Sequence, residues 1–425
     1  MPERAPSAFR VVLGRQFGSL RVYNYRVYFF GQLVSLVGTW MQTTAQAWLV
    51  LRITGSPLAL GTVTTLQFLP IMLLTLFGGV FADRLPKRRM LMATQSVALV
   101  QALLLGLLVW TGSVELWHVY VLALLLGIVN AFDGPVRQSF VVELVGREQL
   151  VNAVALNSTI FNMARIAGPA VAGVTIALVG MSSAFFLNAA SFVAVLGAYA
   201  LMRPAELLTP VRRVAQGNVL AQIAEGLRYA VRTPSVLFLF MLLAPIGMFG
   251  FNFTVVIPLV AEFVLHTGPE RFGLLTSFMG AGSLVAALSL AATGRASLRV
   301  LIAASVMFSV VLGAMAVSRS FALTAALLAL LGACALVFST TINTSLQLAV
   351  PDELRGRVMS IFFLLLAGST PIGGYLTGQM AESLGVPQAL GIEAAVCGAG
   401  VLAAVVYRYG RAVASRRVAA AGSRP

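Results

Sequence analysis

Charged side chains are scarce: 10% of the 425 residues are charged against 59% hydrophobic, and only 14 are acidic. A soluble domain carries about a quarter charged residues, and no interval here is polar enough to fold as one. Histidine and cysteine occur twice each. Cys334 and Cys397 both fall in apolar runs, which excludes a Cys/His metal cluster and leaves them as small apolar packing residues. No Walker A loop, HExxH or GxSxG sequence occurs, so neither nucleotide-driven nor these hydrolytic chemistries are visible. The chain reads as no enzyme and as needing no cofactor or metal. The first 26 residues carry Arg4, Arg10, Arg15, Arg21 and Arg26 without an apolar core and small-residue cleavage site, so no cleavable leader is expected.

What the chain has instead is apolar length. Mean hydropathy is +0.92, and runs of about 20 apolar residues, enough to cross a bilayer, recur along it. Breaks at charge, Gly and Pro clusters place twelve spans near 27–51, 58–82, 89–111, 116–138, 151–179, 182–202, 235–261, 272–293, 299–317, 322–349, 357–383 and 388–409. The net charge of +15 would fit a nucleic-acid binder if the basic residues gathered with aromatics on one surface. They punctuate the spans instead, as in a membrane protein whose inner loops face anionic lipid, so no nucleic-acid partner is expected. With the N-terminus inside, Arg84, Lys87, Arg88, Arg89, Arg137, Arg147, Arg203, Arg228, Arg232, Arg355 and Arg357 lie on the inner side, and the outer loops hold only Arg52, Arg271 and Arg319. Both termini are therefore expected in the cytoplasm. Trp48, Trp110 and Trp117 then fall at the outer interface and Tyr23, Tyr25, Tyr407 and Tyr409 at the inner one, as aromatic belts do.

The interval 203–234 is the one long break, and it divides the spans six and six. Within it Leu220, Ile223, Leu227 and Val231 share a helical face, with Gln222, Glu225, Arg228 and Arg232 elsewhere, which predicts a helix lying on the inner leaflet. The domains expected are thus a tail at 1–26, a bundle at 27–202, the linker at 203–234, a second bundle at 235–409 and a tail at 410–425. An internal repeat agrees. Val141 to Gly173 carries Arg147-Glu148 and then a span interrupted by Gly168 and Pro169. Leu348 to Gly378 carries Asp352-Glu353-Leu354-Arg355 and then a span interrupted by Pro371, Gly373 and Gly374. Both copies enter from the same side, which makes a parallel repeat.

The sharpest motif is Gly79, Asp83, Arg84 and Lys87-Arg88-Arg89 at the inner end of the second span, with Pro86 where a glycine is usual. It resembles motif A of the major facilitator superfamily. Tyr25 to Gln32, Gly38 to Gln42, Trp48 to Gly61, Asp133 to Gln138, and Arg165 with Gly168-Pro169 extend the resemblance to the exporter branch containing enterobactin and multidrug exporters. The resemblance implies an all-α membrane protein of twelve transmembrane helices in two pseudo-symmetric six-helix bundles. It also implies an inner gate latch at Gly79, Asp83, Arg84, Lys87 and Arg88. Gly168, Pro169 and Gly173 are similar to the antiporter motif C in helix five, although Ala172 stands where a second glycine is common. Small residues there let a helix approach its neighbour closely.

Polar groups at membrane depth are costly, about 3 kcal/mol for a charge at a helix centre, and face a cavity or a partner. Asn130, Asp133 and Arg137 share a face of the fourth span, Ser158, Asn162 and Arg165 a face of the fifth, and Thr39, Gln42 and Gln46 a face of the first. Asp133, Arg137, Glu143 and Arg165 form either a proton-coupling site or a structural charge network, and spacing leaves both open. Gln42, Gln46, Asn130, Asn162, Asn252, Asn343, Gln347 and Tyr375 are candidates to line a substrate cavity, each equally readable as packing. Glu393 in the last span is placed near the outer interface, and Pro245 and Pro258 are expected to bend the seventh span. The resemblance implies a monomeric, proton-coupled exporter of a hydrophobic or amphiphilic small molecule in a bacterial-type inner membrane, in contact with membrane lipids. A lipid or lysophospholipid transporter of the same fold and a non-transporting scaffold or sensor are the alternatives.

Overall fold

The computed structural model describes residues 18–208, 219–293 and 297–422; the side chains of 76–84, 219–223, 293, 352–353 and 411–422 lie outside the described residues. Every regular element among the described residues is helical. The first six long helices are α1 (Tyr23–Thr54), α2 (Pro57–Arg84), α3 (Lys87–Trp110), α4 (Leu116–Val145), α5 (Leu150–Val179) and α6 (Met181–Leu201). Then come α7 (Val219–Arg232), α8 (Pro234–Pro245), α9 (Phe253–Leu259), α10 (Pro269–Thr293), α11 (Leu298–Val317), α12 (Phe321–Ala349), α13 (Asp352–Leu366), α14 (Thr370–Leu384) and α15 (Val386–Gly422).

Ten of the described segments are long and apolar enough to cross a membrane, and the bent start of the seventh span makes eleven. The twelfth is α1. Its 32 residues are ample at about 1.5 Å each, and Gln32, Thr39, Gln42, Thr43, Thr44 and Gln46 hold its hydropathy down. The predicted linker helix is present as α7, and the chain turns by 107° from Ala224–Arg232 into Pro234–Gly250. Its Leu227 and Val231 are left exposed, as a helix resting its apolar side on lipid requires.

The seventh span is broken more deeply than a bend. Single π-helical turns occupy Ile246–Gly250, directly after Pro245, and Val260–Val264, just after Pro258. A proline removes an N–H from the ladder and crowds the carbonyl a turn earlier, and a widened turn absorbs the mismatch. The eleventh span breaks between α13 and α14 at Ala367–Ser369. In the fifth span, by contrast, α5 continues through Gly168 and Pro169 without the interruption expected from the sequence. One missing amide is tolerated inside an otherwise intact helix held by its neighbours.

Contacts divide the chain into two compact units, residues 1–49 with 73–214, and residues 50–72 with 215–425. In the first, Tyr25, Tyr28, Leu91, Phe140, Phe192 and Tyr199 form the centre of an apolar core. The Tyr28 and Tyr199 rings each meet Phe140, Tyr28 nearly edge-on at 6.4 Å, a favoured aromatic geometry. Asn24 closes the ends of α1 and α6 by exchanging hydrogen bonds with the Arg203 backbone at 2.9 and 2.8 Å. Trp48, expected at an interface, is 4% exposed, whereas Trp110 and Trp117 stand out at 71% and 55%.

In the second unit α10 lies against α12, where the Ser283 hydroxyl donates to the Gly332 carbonyl at 2.9 Å. Phe251, beyond the first π turn, stacks on Phe308 of α11. The opening of α2 belongs to this unit because Glu382 of α14 accepts from the Ser56 hydroxyl (2.9 Å) and the Leu58 amide (3.2 Å), and the Thr65 hydroxyl donates to the Pro371 carbonyl at 2.7 Å. The grouping therefore cuts α2, in addition to the break in the 203–234 interval. Glu225 of α7 pairs with Arg357 of α13.

Candidate functional site

In the first unit the polar residues condense into three clusters. The central one surrounds Asp133, which is fully buried on α4. Its Oδ1 accepts from the Thr94 hydroxyl (2.8 Å) and the Gln95 amide (2.9 Å) of α3, and its Oδ2 pairs with Arg137 one turn on. Arg137 continues outward to the Gln32 carbonyl oxygen at 3.1 Å, and the Gln32 amide donates to the Tyr199 hydroxyl at 3.0 Å. A buried charge with its counter-ion and its remaining lone pairs filled is the tolerable form of a buried ion pair. Thr94, Gln95, Gln32 and Tyr199 were not singled out by spacing, because they come from other helices.

Glu143 is not part of that cluster. It pairs with Lys87 at the start of α3 at 2.5 Å, both side chains largely buried. Arg88, the next residue, donates to the Tyr199 and Ala200 carbonyls at 2.7 and 3.3 Å. It thus places a cation on the negative, carbonyl end of α6. The motif that contains Gly79, Asp83 and Arg84 is therefore anchored at its basic end. The side chains of those three residues lie outside the described residues.

The third cluster holds Gln42. Its amide donates to Gln101 at 2.9 Å and its carbonyl accepts from Asn188 at 2.6 Å, all three fully or nearly buried. Gln46 is buried on the same helix. On α5 the Asn162 amide returns to the Ser158 carbonyl of its own helix at 2.8 Å, and Asn130 is half-buried on α4. Arg165 is half-buried, and its Nε meets no acceptor. Gly168, Pro169 and Gly173 are buried on α5. A Cβ at Gly168 would lie 2.5 Å from the Trp40 Cβ and 2.9 Å from the Val37 carbonyl. The motif C-like stretch is thus where α5 touches α1.

In the second unit Gln347 and Asn343 bond each other at 2.5 Å near the end of α12, and Tyr375 is 41% exposed on α14. Asn252 is fully buried and donates to the Met248 carbonyl (2.8 Å) and the Thr377 hydroxyl (3.2 Å). Glu393, placed by sequence near an interface, is instead fully buried against Thr377.

Two helical units of membrane-spanning length, apolar outside and carrying isolated polar clusters within, define a multi-pass membrane transporter of the major facilitator type. The profile described as "Transmembrane secretion effector" matches residues 15–420, and the chain belongs to that family of the superfamily. Among characterised proteins it is 28% identical to the multidrug efflux pump Tap of Mycolicibacterium fortuitum, over 84% of this chain and 89% of that one. It is 26% identical to the staphyloferrin A transporter of Staphylococcus aureus (86% and 92% covered) and 23% identical to macrolide efflux protein A of Streptococcus pyogenes (85% and 91%). Among solved structures, a POT family transporter in complex with 5-aminolevulinic acid superposes with a TM-score of 0.71 at 12% identity, over 90% of this chain and 95% of that one. A nucleoside transporter NupG variant gives 0.69 at 12%, over 90% and 98%. At that identity these structures speak for the fold alone.

Proposed function

We propose that this chain exports a hydrophobic or amphiphilic small molecule, drug-like or siderophore-like, in exchange for protons by alternating access. The observation that carries the reading is the near full-length similarity to three proteins whose names specify efflux or siderophore transport. The apolar character of the spans, relieved by Gln, Asn and Thr rather than by many charges, favours such cargo over sugars. Arg placement supports a bacterial inner-membrane location with both termini cytoplasmic. The exposed Leu227, Val231, Arg228 and Arg232 of α7 suit an anionic leaflet. The transporter acts as a single chain, and Asp133 serves as the centre of a structural network because Arg137, Thr94 and Gln95 already neutralise and fill it.

The test is a susceptibility and accumulation panel of drugs and siderophores in cells lacking and expressing the chain, repeated after a protonophore collapses the proton gradient. Expression should lower accumulation of at least one amphiphilic compound, and collapse should abolish the difference. Efflux unchanged by collapse would exclude proton exchange.

A further inference from the structure

Glu393 is a buried acidic residue that the exporter reading leaves without a role. It sits eight residues into α15, is fully buried, and its Oε2 meets no partner. Its other oxygen, Oε1, lies on the hydroxyl of Thr377 of α14. That hydroxyl is also 2.8 Å from the Gly373 carbonyl and receives the Asn252 amide at 3.2 Å. Asn252 is itself fully buried, and its Oδ1 has no partner either.

The proton count at Thr377 is the decisive feature. A threonine hydroxyl has one proton to give and two lone pairs to receive with. Around it stand one donor, the Asn252 amide, and two oxygens, Gly373 O and Glu393 Oε1. If Glu393 is ionised, the single hydroxyl proton must serve one of those oxygens and leave the other. If Glu393 carries a proton on Oε1, it donates to Thr377, Thr377 donates to Gly373, and Asn252 fills the second lone pair. Every position is then used. The network accepts the carboxyl with or without its proton by turning one hydroxyl, with no change of backbone.

Among the described residues the surroundings supply no paired counter-charge. On α15 the nearest titratable group is Cys397, whose thiol contacts the Pro245 carbonyl at 3.6 Å. Arg408 of the same helix lies 5.3 Å over the Phe238 ring. On α11 the groups near this stretch are the buried Ser305 and Ser309, bonded to their own helix, and its one charge, Arg299, is at the opposite end of the helix from the Ala316–Val317 terminus. On α14 the acidic Glu382 is engaged by Ser56 and Leu58. Glu262 lies on the second π turn, beyond α9. Among the described residues no cation is paired with Glu393, in contrast to Asp133, Glu143, Glu206 and Glu225. An ionised carboxylate at membrane depth without a partner is expensive, and a group of this kind is retained for function.

The placement also connects the carboxyl to the two interrupted spans. Its two neutral partners hang on the two interrupted spans: Asn252 follows the π turn at Ile246–Gly250, and Thr377 follows the break at Ala367–Ser369. A Cβ at Gly373 would stand 1.8 Å from the Met248 carbonyl, so these broken segments touch directly at the site. π turns recur at functional sites because a small shift re-aims the side chains beside them.

We propose that Glu393, with Thr377 and Asn252, is the proton-carrying site of this transporter. The step is a protonation alone: an O–H bond forms on Oε1 as a proton arrives from water on one side, and breaks as it leaves to the other. The inference rests on the proton-exchange reading above and names its residue. It is tested on the full chain in two arms. Infrared difference spectra of purified protein across a pH series should show a carboxyl C=O band that titrates, is missing in Glu393→Gln and is displaced in Thr377→Val. Ethidium efflux from cells should be gradient-driven for the natural chain and insensitive to a protonophore for Glu393→Gln. A titrating band that survives in Glu393→Gln, or Glu393→Gln efflux as gradient-driven as the natural chain's, overturns the assignment while leaving proton exchange intact. Natural-chain efflux indifferent to the protonophore overturns the parent reading instead. If Glu393→Gln fails to fold, Glu393→Asp with Thr377→Val decides the matter, since both must move the band and its midpoint; no movement in either overturns the assignment.

Discussion

Lys87 opens α3 and Glu143 closes α4, and the two side chains meet at 2.5 Å with about a tenth of each left exposed. The two residues are 56 positions apart, on the consecutive helices α3 and α4, and the pair ties the basic end of the motif around Asp83 to the first unit's core. Lys87→Ala strands a mostly buried carboxylate and should destabilise this unit by about 2–3 kcal/mol, whereas Lys87→Met with Glu143→Met removes both charges and should recover most of the loss. All four tryptophans, Trp40, Trp48, Trp110 and Trp117, lie within the first unit's segments, so tryptophan fluorescence during heating reads it. A double variant no better than the single would show that the pair's charge is not what the unit depends on.

The same physics, applied one helix turn at a time, separates Asp133 from Glu393. Asp133 has a cation and two neutral donors on its oxygens. Asp133→Asn leaves the half-buried Arg137 without its counter-charge and should cost about 3 kcal/mol of stability. Gradient dependence of whatever transport survives should be retained. Glu393→Gln should do the reverse, with little loss in midpoint because an amide replaces a carboxyl of equal size, and no gradient dependence. The buried free thiols Cys334 and Cys397 make a thiol-reactive dye the natural reporter of unfolding in the second unit. Gradient dependence lost in Asp133→Asn and kept in Glu393→Gln would exchange the two roles.

The spans were legible in the sequence because an apolar helix in lipid must announce itself residue by residue. Boundaries at Pro57, Leu116 and Phe321 fall within a residue or two of those read from charge, Gly and Pro. The clusters were less legible for a geometric reason. Spacing along one helix puts Asp133 and Arg137 together, and they are. Glu143 shares the inner end of that helix as a candidate for the same charge network, but ten residues of helix are about 15 Å of rise, and its partner is Lys87. Thr377 and Asn252 reach one another across 125 positions, and no periodicity carries that. The prolines at 245 and 258 signalled a bend; that each is relieved by a π turn depends on what packs around the helix.

Gly168 tests the contact between α5 and α1. An added Cβ would stand 2.5 Å from the Trp40 Cβ, an atom fixed to its backbone, and 2.9 Å from a carbonyl. Neither can swing aside as a flexible side chain would. Gly168→Ala should therefore cost about 1–3 kcal/mol, the range of overpacking, and Gly168→Leu more. Lower membrane abundance and a lower tryptophan-reported midpoint are the expected signs. A neutral Gly168→Ala would mean that α5 slides along α1 freely.

Arg165 predicts the opposite sign. It sits four residues before Pro169 within α5, half-buried, its Nε without an acceptor. Pro169 has no N–H to donate to the Arg165 carbonyl, so this turn lacks a backbone bond, and among the described residues no acidic side chain is paired with Arg165. An unpaired charge at membrane depth costs about 3 kcal/mol, and Arg165→Gln removes it while keeping a polar side chain of similar length. The variant should melt at a higher temperature than the natural chain. The prediction for transport is that Arg165 pairs with a negative charge on the cargo. Arg165→Gln should accordingly weaken resistance to anionic compounds more than to cationic ones in the same panel. A lower melting temperature with an unchanged compound profile would make Arg165 a structural residue.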